Sequence, residues 1–174
     1  VIRPTAECIG QITHSRHVGI LATSGTISSG SYPLEIRKLY PDIVVSGEAC
    51  PMWVPLVENY EYDSPGADYF VEKRIGNLLR KDPAIDTIVL GCTHYPLLLN
   101  KILKYTPRNV RIVPQGEYVA YSLKDYLQRH TEIETLCTQS GTCRFLTTES
   151  PDKFMESASI FLRQHVEAER VVLE

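Results

Sequence analysis

The stretch Thr87-Ile88-Val89-Leu90-Gly91-Cys92-Thr93-His94-Tyr95-Pro96 decides how the rest of this sequence is read. Its first six residues form a short apolar run that stops where glycine and hydroxyl residues begin. A strand buried on both faces by helices reads this way, because neither face needs polar residues. The run His17-Val18-Gly19-Ile20-Leu21-Ala22-Thr23 repeats the pattern and closes at Ser24-Gly25-Thr26. Weaker runs at 42–46 and 110–113 complete the set. Helical spacing falls between them at 31–39, 68–80 and 96–105, the last with Pro96 in its first turn, where its missing N–H costs nothing. Strands that alternate with helices predict an α/β fold, a mostly parallel sheet flanked by helices.

The pattern changes near residue 113. A long helix is expected over 116–129, followed by a polar, turn-rich stretch over 130–142 and one isolated strand over 144–148. A last helix starts with Ser150 as N-cap and Pro151 at the first position, and runs through Leu162. The expected organisation is one α/β domain over 1–113 and a separate segment over 114–174.

Composition bounds the function. The chain has 174 residues, 43% of them hydrophobic, and a formal net charge of -3. That balance offers no electrostatic footprint for nucleic acid. No run approaches the roughly 20 apolar residues that span a bilayer, so no membrane partner is expected. Five cysteines in no CxxC pair point to reduced thiols and hence to a cytosolic setting. The start, Val1-Ile2-Arg3-Pro4, has neither an initiator Met nor a signal-peptide layout, which suggests processing or a piece of a longer chain.

Cys92 carries the chemistry. It stands at the carboxyl end of a buried strand, where open α/β sheets bind their ligands. The amides of the following helix would favour its thiolate. His94 stands within reach to donate a hydrogen bond or positive charge, and Thr93 can hold a carboxylate at the same helix start. A small buried hydrophobe is the plainer reading of such a cysteine. No second ligand cluster completes a metal site, and no arginine follows to close a phosphate loop. Thr23 and Thr26 can aim two hydroxyls at an anion, or simply cap a helix. In Cys50-Pro51-Met52-Trp53-Val54-Pro55-Leu56-Val57-Glu58, the prolines are expected to stiffen a loop that presents Glu58, with Cys50 structural.

The stretches GILATSGT, EACPMWVPLVE and LGCTHYPLL, in that order, resemble the second half of the bacterial glutamate racemases of the aspartate/glutamate racemase superfamily. The segment 115–127 resembles that family's return toward its first domain. The resemblance implies a flavodoxin-like second domain, with 114–174 belonging to a first, largely absent domain. It further implies cofactor-independent racemisation of glutamate by two cysteines on opposite faces of the α-carbon, in the bacterial cytoplasm, supplying D-glutamate for peptidoglycan. Carried over, Cys92 is the second cysteine, His94 and Glu58 assist it, and Thr93, His94, Thr23 and Thr26 contact the substrate.

The departure lies in what is missing. Neither the Ala-Cys-Asn-Thr nor the Asp-Ser-Gly string of that family occurs. The chain therefore reads as a fragment with half of the catalytic pair, inactive alone, whose residues 114–174 are either poorly ordered or paired with another chain, as in a homodimer. Three alternatives stay open: a racemase of aspartate or another amino acid, a cysteine hydrolase with His94 as base, and a non-catalytic binding fragment.

Overall fold

The computed structural model describes residues 2–139 and 141–173; the expectations that touch Val1, Ser140 and Glu174 lie outside them. The described chain forms two compact units, Val1–Arg129 and His130–Glu174.

The first unit is built on a four-stranded parallel sheet of β1 (His17–Ala22), β2 (Val44–Ala49), β3 (Thr87–Leu90) and β4 (Arg111–Pro114), in the order β2-β1-β3-β4. Every residue of β3 is buried, and so is β1 from Val18 onward. That burial on both faces is the physical cause of their unbroken apolar runs. Around the sheet lie α2 (Ser24–Ser29), α3 (Ser31–Leu39), α5 (Pro65–Lys81) and α6 (Leu99–Tyr105). Helix α5 starts at Ser64, whose hydroxyl accepts the Ala67 N–H at 3.2 Å, with Pro65 next. Gly30, at φ 62°, ends α2 and turns directly into α3, a backbone state that favours glycine.

The expected parallel α/β architecture is therefore present, with several differences in detail. An unexpected helix, α1 (Ile2–Ile12), opens the unit. Pro4 is tolerated because it falls in the first turn, while Ala6 and Ile9 are fully buried against the core. The expected loop over 51–58 contains a short helix, α4 (Trp53–Glu58), again with its proline in the first turn. The expected helix over 96–105 is instead a 3₁₀ turn, Tyr95–Leu98, that passes into α6.

Helix α7 (Gln115–Arg129) packs on α1 and sends Tyr118 against the core, so by its contacts it lies with the first unit. The second unit holds a short helix, α8 (Thr131–Glu134), inside the polar stretch. Its other elements are β5 (Phe145–Thr147), α9 (Pro151–Leu162) and β6 (Ala168–Arg170). The strand expected to stand alone pairs in parallel with β6, Leu146 opposite Glu169. A sheet of only two strands gains little cohesion by itself, and Leu146, Ile160 and Leu162 stay exposed here.

At the amino ends of the central strands, Asp86 gathers the turn before β1. Its carboxylate accepts the Thr13 hydroxyl at 2.6 Å and the His14 and Ser15 N–H groups, both at 2.7 Å. Burial would push this carboxyl up, but the hydrogen bonds from Thr13, Ser15, Thr87 and His14 outweigh it and hold the group below the usual carboxylate range. A depressed folded value adds stability above the unfolded titration range and loses it in acid. Asp86→Asn should therefore cost about 1–3 kcal/mol near neutrality. The urea midpoints of the two chains should converge as the pH falls below about 4.

Close approach at the other end of β3 involves Gly91. A Cβ there would meet Ala22 Cβ at 3.0 Å, the Tyr32 ring at 3.1 Å and the Leu21 carbonyl oxygen at 3.3 Å. Gly91→Val should lower stability by about 1–3 kcal/mol in urea unfolding, because backbone on one side cannot yield.

Candidate active site

The strand order places β1 beside β3 although they are not consecutive, so the connections leaving their carboxyl ends run to opposite sides. A crevice at such a reversal is the ligand site of open α/β sheets. Leu21 lies opposite Leu90 in the register. The residues just beyond, Thr23 on one strand and Cys92 on its neighbour, are thus delivered to one edge of the sheet.

Three of the expected residues meet. Cys92 Sγ lies 3.8 Å from His94 Nδ1, and His94 Nε2 lies 3.3 Å from Glu58 Oε1. The thiol and the imidazole are half-buried, while the Glu58 carboxylate is largely exposed. The imidazole thus bridges a carboxylate and a thiol. With Glu58 accepting from Nε2–H, the Nδ1 lone pair faces the thiol and can take its proton; with both ring nitrogens protonated, the ring is a cation beside the thiolate.

Trp53 and Tyr95 bring Glu58 to this place. Both are fully buried, and their rings meet edge to face with centroids 4.7 Å apart. The Trp53 indole N–H donates to the Phe70 carbonyl at 3.4 Å, and the Tyr95 hydroxyl donates to the Cys50 carbonyl at 3.2 Å. Helix α4 is therefore held against the 3₁₀ turn, and Glu58, its last residue, reaches His94. The expectation that Glu58 sits on a stiffened loop is corrected: a helix carries it, and the packed indole sets its position.

Thr23 and Thr26 form a separate pair. Thr23 is the N-cap of α2, its hydroxyl accepts the Thr26 N–H at 3.4 Å, and the two hydroxyl oxygens are 3.0 Å apart. Capping and ligand readings are compatible here, since both side chains remain half-exposed. Thr93 is exposed on the turn between Cys92 and His94.

Cys50 is a different kind of thiol. It is fully buried, its N–H donates to the Ala22 carbonyl at 2.8 Å, and burial pushes its thiol far above the ordinary value. Residues that sequence reasoning passed over are Tyr32 and Gln115, both buried close to this turn. Their only visible signal was a polar residue at the start of an expected helix. Among the described residues, no group of three or more His, Cys, Asp or Glu is placed to hold a metal ion, and no helix is long and apolar enough to cross a membrane.

Comparison with known proteins follows the same lines. A family model described as Asp/Glu/Hydantoin racemase matches residues 3–117. A glutamate racemase of Thermoanaerobacter sp. (strain X514) is 35% identical over 167 residues, covering 96% of this chain and 62% of that protein. The crystal structure of a glutamate racemase isoform from Bacillus anthracis matches with a TM-score of 0.88 at 30% identity, over 99% of this chain and 63% of that one. A second structure, glutamate racemase from Thermus thermophilus in complex with beta-chloro-D-alanine, matches with a TM-score of 0.76 at 30% identity, over 99% and 61%. The chain spans about three fifths of the length of these relatives.

The contrast between the two thiols is testable. Iodoacetamide should label Cys92 in the folded chain and leave Cys50 untouched until urea unfolds it, read by peptide mass spectrometry. Labelling of Cys50 at the Cys92 rate would contradict the packing described.

Proposed function

Because this chain belongs to the Asp/Glu/hydantoin racemase family, we propose that it carries one proton-transfer half of a glutamate racemase. The observation that supports this reading most is the line from Cys92 through His94 to Glu58 at the sheet's reversal point.

Racemisation requires breaking the α-carbon's C–H bond and remaking it on the opposite face. The carbanion between those steps is poorly stabilised, so catalysis rests on electrostatic support of the substrate carboxylate and on a base kept from bulk water. In one direction the Cys92 thiolate takes the α-proton and becomes a thiol, while a second thiol protonates the other face and becomes a thiolate. In the reverse direction the roles exchange, and no cofactor is needed. His94, oriented by Glu58, moves the proton onto and off Cys92 between turnovers. Thr23 and Thr26 hydroxyls, with Thr93 at the turn, hold the substrate carboxylate and keep the α-carbon in reach.

The Ala-Cys-Asn-Thr and Asp-Ser-Gly strings of the family are absent from these 174 residues. The opposing thiol is accordingly assigned to sequence beyond them, and residues 114–174 to the first domain of the whole enzyme. The whole enzyme would supply D-glutamate for peptidoglycan in the bacterial cytoplasm.

Chiral analysis of glutamate incubated with the 174-residue chain should show no inversion above background. A longer protein that includes the missing strings should invert glutamate in preference to aspartate, and Cys92→Ala in it should abolish turnover. Inversion by the short chain at an ordinary enzymatic rate of about 1–1000 per second would defeat the two-thiol assignment.

A further inference from the structure

Gln115 is a polar side chain in an apolar place. It is the first residue of α7, directly after β4, and only 9% of its surface is exposed. Both of its polar atoms are bonded. Oε1 accepts the Thr5 hydroxyl of α1 at 3.0 Å, with Thr5 itself buried. Nε2 donates to the Leu90 carbonyl at 2.9 Å. The Tyr32 ring, itself buried, lies against Gly91.

The Leu90 carbonyl has a particular place in the ladder. At the start of the β3–β4 pair, the Arg111 N–H donates to the Asp86 carbonyl at 2.7 Å. Two-residue alternation along a parallel ladder then aims the Leu90 carbonyl at position 115. The ladder runs on to Leu90 opposite Pro114, and at the step into α7 the Gln115 side chain adds its own donor to that carbonyl. On the other side of the same peptide unit, the Gly91 N–H donates to the Leu21 carbonyl at 2.8 Å. The Leu90–Gly91 peptide, the second before Cys92, is therefore held from both flanks, by β1 and by Gln115.

We infer that Gln115 is a positioning residue for Cys92: its amide fixes the Leu90–Gly91 peptide, and through it the approach of the thiol to His94. The inference rests on the reading of Cys92 as the proton-transfer thiol. The Thr5 hydroxyl meets the amide on its far side, at Oε1. Loss of the Nε2 donor removes the side-chain bond that holds this peptide on the flank away from β1. Loss of the Thr5 hydroxyl leaves that donor in place.

The test uses the 174-residue chain and site-resolved iodoacetamide labelling at neutral pH, with Cys50 protection as the check on native packing. Gln115→Met keeps the length and removes both polar atoms. It should slow labelling of Cys92 several-fold, because a thiol moved from its histidine forms thiolate less readily, while Cys50 stays protected. Thr5→Val should lower the urea midpoint but leave the Cys92 rate within a factor of about two, the spread of measured single-interaction effects. An unchanged or faster Cys92 rate in Gln115→Met would overturn the inference. So would a Thr5→Val effect on Cys92 as large as that of Gln115→Met. If Gln115→Met loses Cys50 protection, Gln115→Asn, too short to reach Leu90, takes its place with the same expected slowing. Failure of the racemase reading would appear separately, as inversion by the longer protein that survives Cys92→Ala while the labelling pattern holds.

Discussion

The parallel pairing of β1 with β3 is the constraint on which the rest of the first unit depends. It sets Leu21 against Leu90, and with them the Thr23 cap and the Cys92 turn at one edge of the sheet. The pair is buried on both faces, so a one-residue slip would move every side chain to the wrong layer. The register therefore carries the geometry of the site more firmly than any contact within the site itself. Gly91 shows how tight the arrangement is, since a Cβ beside it would press on Ala22, Tyr32 and the Leu21 carbonyl.

Around that edge the protein uses two sorts of support. Apolar packing of Trp53 on Tyr95 brings a distant acidic residue to the histidine. Buried polar contacts do the finer work: Gln115 with Thr5 and Leu90 near the thiol, and Asp86 with the β1 turn at the opposite end of the strands. Buried amides and carboxylates are tolerated in such places only when their donors and acceptors are matched, and here they are. Glu48 follows the same rule. Burial would raise its carboxyl, but Lys81, Asn77 and Arg74 bond to it and hold it ionised.

The parts legible beforehand were those whose signal is local. The β1 and β3 runs declare themselves because a strand covered on both faces is apolar at every position. The α5 start was blurred by only a few residues, since Ser64 and Pro65 cap it as such residues do. Short helices were harder. Helix α4 has one proline before it, another in its first turn and only six residues, so it reads as loop until the buried indole is seen to hold it. Helix α1 was passed over at the chain start, although Ala6 and Ile9 carry the spacing of a buried face. Strand β6 is three residues long, too short for periodicity to reveal.

By itself the sequence determined the class of fold, the two central strands, and the cysteine, histidine and threonines that sit at their ends, because strand burial and turn chemistry are written in neighbouring residues. Only the tertiary structure decided that Glu58 faces His94, that Cys50 is sealed while Cys92 is half-buried, and that Gln115 reaches back to the Leu90 carbonyl. Those relations join residues far apart in the chain, and what sets them is the strand order and the close packing of side chains, which no local pattern encodes.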